Sequence, residues 1–144
     1  WGNILDFKDF DLITPNEREA RFALAEQDAT VGGLANSICQ ESGCKMLVLK
    51  LGQRGVFVNK QKENNEINYF SIGSFASTIK DAVGAGDALL AYTTLVQMKT
   101  GSEVMSSIIG SMAAACECEI DGNDPIKPKQ IHELINRLEK SMVF

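Results

Sequence analysis

The run Lys45-Met46-Leu47-Val48-Leu49-Lys50-Leu51 constrains the fold more than any other stretch of this chain. Its apolar residues are nearly continuous, which marks a strand buried on both faces rather than on one. Such a strand needs cover above and below, and sheets flanked by helices supply it. The neighbouring residues agree. Asp11-Leu12-Ile13-Thr14 reads as a short apolar strand stopped by Pro15. Glu17 to about Gln27 is rich in Ala, Leu, Arg and Glu, all good helix formers. Val31 to Glu41 predicts a second helix, with Gly43 placed to end it. After the buried run, Gly52-Gln53-Arg54-Gly55 turns the chain into Val56-Phe57-Val58 as a hairpin. Lys60 to Glu66 reads as a solvated loop tip, and Ile67 to Ile72 as a further strand.

The second half reads as helical. Ala85 to about Lys99 has no breaker after Gly86, and Gly101 closes it. Val104, Met105, Ile108, Ile109, Met112 and Cys116 recur at helical spacing, so a helix runs on to about Glu119. Small residues fill the rest of it, Gly110, Ser111 and Ala113 to Ala115 among them, and let another backbone or a flat ligand come close. Asp121 to Pro125 is a turn cluster, and Ile131, Leu134, Ile135, Leu138 and Met142 mark an amphipathic terminal helix. The pattern predicts a layered, Rossmann-like α/β fold with a mostly parallel sheet flanked by helices. No linker divides residues 1–144, so they read as part of one domain.

Composition narrows the functional classes. The chain has 144 residues and a net charge of −5, with no basic tract, which argues against a duplex nucleic-acid binder. No segment approaches the ~18 consecutive apolar residues of a membrane span. The start lacks a basic region followed by an apolar run, so no secretory signal is visible. Its first residue is Trp1 rather than Met, which predicts a piece of a longer protein. The four cysteines, Cys39, Cys44, Cys116 and Cys118, do not have the spacing of structural zinc sites and read as reduced core thiols. A cytoplasmic location follows.

Chemistry concentrates at Asp81-Ala82-Val83-Gly84-Ala85-Gly86-Asp87. Two glycines around an alanine, directly before a long helix, present backbone N–H groups with no bulky side chain in the way. The helix N-terminus adds partial positive charge, so the stretch suits a phosphate. A carboxylate beside such a cradle repels the ligand. Asp87 makes chemical sense there as the acceptor of a proton from a hydroxyl that attacks phosphorus. Two other readings stand beside this one. Gly84 and Gly86 can simply shape a turn, with Asp87 favoured by the helix dipole. A dinucleotide fingerprint fails at its third glycine, where Leu89 stands.

At this point the sequence resembles the ribokinase-like (PfkB) carbohydrate kinases. Their C-terminal signature, Asp-Thr-x-Gly-Ala-Gly-Asp, is matched by Asp81 to Asp87 except that Ala82 replaces Thr. Asn16-Glu17-Arg18-Glu19 is similar to the family's Asn-x-x-Glu segment, and Leu51-Gly52-Gln53-Arg54-Gly55 to its Leu-Gly-x-x-Gly nucleotide loop. Gly110 to Cys116, followed by Gly122-Asn123, resembles the stretch that walls the adenine pocket.

The resemblance implies a ribokinase-type fold and a role for each matching residue. Asp87 is then the general base, and the amides around Gly84, Ala85 and Gly86 form the anion hole. Asn16 and Glu19 lie near the triphosphate, Glu19 acting on magnesium through water. Lys50, Gly52 and Gly55 border the nucleotide, and Ser111, Gly122 and Asn123 belong to the adenine wall. Asp81 contributes to a monovalent-cation site for K+. Asn16 and Glu19 equally spell a helix capping box, Gly52 and Gly55 suit a hairpin turn, and His132 reads as a partly solvated helix residue.

The implied cofactors are ATP, Mg2+ and K+. The implied partners are a sugar-like small molecule and the N-terminal remainder of the kinase, with self-association open and neither nucleic acid nor membrane involved. The implied activity is phosphorylation of a sugar or sugar-phosphate hydroxyl, this chain being the ATP-binding and base-bearing part and inactive alone. A non-catalytic nucleotide-binding or assembly module is the alternative, and a nicotinamide-dependent oxidoreductase would need NAD to outcompete ATP.

Overall fold

In the computed structural model, Leu47, Val48 and Leu49 are fully buried at the centre of β2 (Met46–Lys50), so the continuous apolar run does place a strand with both faces covered. The structure describes residues 3–61, 67–122 and 124–142. Asn123 and most of the expected loop at Lys60 to Glu66 therefore lie outside the described residues. The chain packs as two compact units, Trp1–Gly73 and Ser74–Phe144.

The first unit holds a four-stranded sheet in the order β1 (Leu12–Ile13), β2, β3 (Val56–Gln61), β4 (Ile67–Ile72). β1 runs parallel to β2, with Ile13 opposite Leu47. The other two pairings are antiparallel, Val48 opposite Val58 and Val58 opposite Phe70. The sheet is thus mixed, which corrects the expectation of a mostly parallel one. Connection length is the reason. Only residues 51–55 and 62–66 separate β2, β3 and β4, and a parallel crossover needs a dozen or more residues. Between β1 and β2 the chain has room for two helices, and there the pairing is parallel.

Those helices are α1 (Glu17–Leu24) and α2 (Val31–Ser42). α1 stops short of Gln27 because Ala25 enters the left-handed region at φ 54°. The Arg21 guanidinium stabilises that departure by donating to the carbonyls of Gln27 (2.7 Å) and Ala29 (3.0 Å). α2 is capped by the Thr30 hydroxyl, which accepts from Gly33 N–H at 3.1 Å, and it ends at Gly43. Its Leu34, Ala35 and Ile38 form the core of this unit with Ile13, Leu47 and Leu49.

The second unit is helical: α3 (Ala85–Thr100), α4 (Glu103–Cys118) and α5 (Pro128–Ser141). α3 and α4 meet where α4 carries its small residues. A Cβ on Gly110 would lie 2.0 Å from the Thr93 hydroxyl oxygen and 3.0 Å from the Leu89 carbonyl oxygen, so this contact admits only glycine. The Ser106 hydroxyl donates to Gln97 Oε1 at 2.8 Å across the same pair. Met112, Ala113 and Cys116 of α4 pack with Ile131 and Leu134 of α5. Glu119 ties in the segment before α3, accepting from Ser77 N–H (2.9 Å) and its hydroxyl (2.8 Å), while Arg137 donates from α5 (3.1 Å). Burial pushes the Glu119 carboxyl up, but these bonds outweigh it and hold the group below the usual glutamate range.

All four cysteines are free thiols. Cys39, Cys44 and Cys116 are buried and Cys118 is half-buried. Cys44 donates to the Cys39 sulfur at 3.7 Å.

Candidate functional site

In the first unit, a cleft of about 600 Å³ lies between the start of α1 and the end of β2. Asn16, Lys50 and Gly52, three of the expected nucleotide residues, line it. The local chain explains their approach. Lys50 N–H donates to the Pro15 carbonyl at 2.8 Å, and Asn16 bridges to Lys50 in parallel register, so β1 and β2 deliver both residues to one end of the sheet. Lys50 itself is half-buried.

Asn16 and Glu19 form a complete capping box. Asn16 Oδ1 accepts from Glu19 N–H and Glu19 Oε2 from Asn16 N–H, each at 2.8 Å. Both side chains are therefore fixed by the helix start. Glu19 is half-buried and is not among the cleft-lining residues.

Beyond Lys50 the chain makes one 3₁₀ turn, Gly52–Arg54, closed by Leu51 N–H on the Gly55 carbonyl (2.8 Å) and Gly55 N–H on the Gly52 carbonyl (3.0 Å). Gly55 helps shape this turn without lining the cleft.

Glu17, Arg18, Arg21, Phe22 and Gln27 also face the cleft, and sequence reasoning did not find them. The signal available was the Glu17/Arg21 spacing, which puts both side chains on one helix face. Arg21 donates to Glu17 Oε1 from Nη2 (2.7 Å) and Nε (3.2 Å), and Arg54 pairs with Glu17 Oε2.

In the second unit, Gly84 caps α3 from the left-handed region at φ 84°, a conformation that costs a side-chain-bearing residue roughly 1–2 kcal/mol. No side chain caps this helix start. Gly84, Ala85 and Gly86 are half-buried, and Asp87 stands exposed in the first turn. The Asp81 carboxylate accepts from Val83 N–H at 3.0 Å, which folds the signature into a turn ahead of the helix. Lys80 N–H donates to the Cys118 carbonyl at 2.8 Å, anchoring that turn to the end of α4. Ser111 is buried in α4 with its hydroxyl oxygen unpartnered, and Gly122 is exposed at φ 90°.

One further carboxylate belongs to this unit. Glu117 on α4 is buried and its Oε1 has no hydrogen-bond partner. Burial raises its pKa, and the charges of Asp124 and Asp81 raise it further. An orphaned buried carboxylate oxygen has the chemistry of a cation ligand, and that is what the residues of this unit offer K+. The described residues contain no cluster of three or more His, Cys, Asp or Glu side chains able to hold a metal ion. Glu19, the residue expected near Mg2+, uses Oε2 in the capping box and keeps Oε1 outside it.

Comparison with known proteins settles the class. Phosphofructokinase-2 from Escherichia coli, solved with substrates and products, superposes with a TM-score of 0.79 at 18% identity, covering 96% of this chain and 44% of that one. The same enzyme has been solved in complex with potassium. Ribokinase from Thermotoga maritima gives 0.75 at 21% identity, covering 88% of this chain and 42% of the other. These matches define a ribokinase-type fold.

The sequence goes further. The family model of the pfkB carbohydrate kinases matches residues 5–123, and the chain belongs to that family. Ribokinase from Haemophilus influenzae is 30% identical over 111 residues, 73% of this chain and 33% of that protein. The chain thus spans about a third of the curated relative it matches. No helix among the described residues is long and apolar enough to cross a membrane.

Proposed function

We propose that the kinase containing these residues transfers the γ-phosphoryl group of ATP to a hydroxyl of a sugar or sugar phosphate. The family match running through residues 5–123, with the Asp81–Asp87 signature inside it, carries this reading. Asp87 takes the proton of the attacking hydroxyl. The amides of Gly84, Ala85 and Gly86 face the transferred group at the uncapped start of α3. Asn16, Lys50, Gly52 and Gly55 hold the nucleotide, and Ser111, Gly122 and Asn123 border its adenine. Asp81 serves a monovalent cation such as K+, and Glu19 reaches magnesium through water. Magnesium, when bound, offsets charge that builds up on the phosphates.

A positioned base supplies about 10²–10⁴ in rate, and each anion-hole donor about 10²–10³. Holding both reactants in line is worth roughly 7–11 kcal/mol more. The sugar-holding residues of the family are not among the matched motifs, so this chain by itself binds ATP and turns over poorly or not at all. Its setting on this reading is the cytoplasm, and its partners are ATP, the sugar and the remainder of the kinase.

The experiment is a direct one. The intact protein is given ATP with a labelled γ-phosphate and a panel of sugars and sugar phosphates, and the label is expected on one acceptor. ATP binding without transfer to any acceptor would favour a non-catalytic nucleotide-binding module, to which Ala82 in place of the signature Thr would then belong. Preference for NAD over ATP would overturn both.

A further inference from the structure

We propose that Glu17 and Arg54 are positioning residues that fix the Gly52–Gly55 turn over the nucleotide cleft. The inference rests on the nucleotide reading of that cleft and adds to it two residues to which that reading gives no role.

The turn is anchored at its base, where Lys50 N–H meets the Pro15 carbonyl. Its tip is not packed in the same way: a Cβ placed on Gly52 would find nothing within 4 Å, and Gln53 and Arg54 are exposed. Arg54 supplies the missing tether. It reaches from the turn to Glu17 Oε2 on the first turn of α1. Glu17 is itself held, because Arg21 occupies its other oxygen with two bonds and grips the Gln27 and Ala29 carbonyls beyond α1. A continuous relay therefore runs from the segment after α1, through Arg21 and Glu17, to the glycine turn. Glu17 and Gly52 both line the cleft, so the relay joins two parts of its lining.

The pairing also resolves a chemical conflict. An unpaired carboxylate lining a triphosphate site would repel the ligand, whereas Glu17 is flanked by two guanidinium groups. Two accounts of Glu17 then give opposite signs. If it acted only through charge, neutralising it would tighten binding of a polyanion. If it positions the turn, neutralising it releases Arg54 and loosens the cleft.

ATP titration of the chain by calorimetry separates them. Because the pair is part-exposed, with side chains 58% (Arg54) and 23% (Glu17) accessible, the expected effects are modest. Glu17→Gln and Arg54→Ala should each weaken ATP binding about two- to fivefold, Arg54→Lys less, with melting temperatures close to that of the parent chain. The double variant should be no weaker than the worse single one, since both changes break one link. Unchanged or tighter binding by Glu17→Gln overturns the proposal. So does additivity in the double variant, which would mean that Arg54 meets the nucleotide directly. A parent chain that binds no ATP would instead remove the nucleotide reading itself.

Discussion

On the proposed function, Asp87→Asn in the intact protein should lower kcat by about 10²–10⁴ while leaving ATP binding in place, because the amide has the shape of the carboxylate but cannot take up a proton from the attacking hydroxyl. ATP affinity should hold or rise slightly, since a negative charge near the phosphates is removed. The contrasting structural role predicts something different. If Asp87 only complements the dipole of α3, its replacement costs about 0.3–1 kcal/mol of stability and leaves turnover intact. Asp87 is exposed in the first turn, so the two outcomes separate cleanly. Steady-state kinetics with the melting temperature recorded alongside decides it. A fall in kcat of less than tenfold would remove Asp87 from the role of base.

The largest stability effect is expected at Gly110. Gly110→Ala puts a methyl group 2.0 Å from the Thr93 hydroxyl oxygen and 3.0 Å from the Leu89 carbonyl oxygen. Thr93 is fully buried and Leu89 nearly so, and rotating the threonine does not move the backbone oxygen. α3 and α4 must therefore separate. Overpacking of this kind costs typically 1–3 kcal/mol, and Gly110→Val should exceed it. The Thr93 hydroxyl has no hydrogen-bond partner, so deleting it sacrifices no bond. Thr93→Ala should then restore part of the stability lost in Gly110→Ala, a coupling that denaturant unfolding of the four variants in a double-mutant cycle can measure. Additive losses would show that the helices adjust elsewhere.

What could be read ahead of the structure follows from how local each feature is. Asn16 and Glu19 lie three residues apart, and their capping box is set by that spacing alone. The Gly52–Gly55 turn and the strands on either side of it are equally local. Ala25 was not legible as a helix stop, because alanine favours helices and adopts positive φ only when something else holds it there. Arg21 does so through carbonyls that only the fold brings near. The Arg54–Glu17 pair joins residues far apart in sequence, and the unpartnered oxygen of Glu117 arises from burial that helical spacing does not reveal. The small residues of α4 signalled a close approach, but not that Thr93 was the neighbour. The hairpin of β2 and β3 was legible from its turn, but the mixed character of the whole sheet was not, because an apolar run reports burial and not orientation.

The order of the sheet has a practical consequence for anyone handling the chain. Among the described residues β4 is paired with β3 alone, so Ile67–Ile72 forms an edge of the sheet. The segment Ile67-Asn68-Tyr69-Phe70-Ser71-Ile72 carries no charge and no proline, and Tyr69 stands 66% exposed. Such an edge is a template for cross-pairing between molecules. Concentrated solutions should scatter light increasingly with time. A lysine at the exposed Ser71 should suppress that, as charged edge residues do elsewhere. Scattering unaffected by Ser71→Lys would place the self-association on another surface.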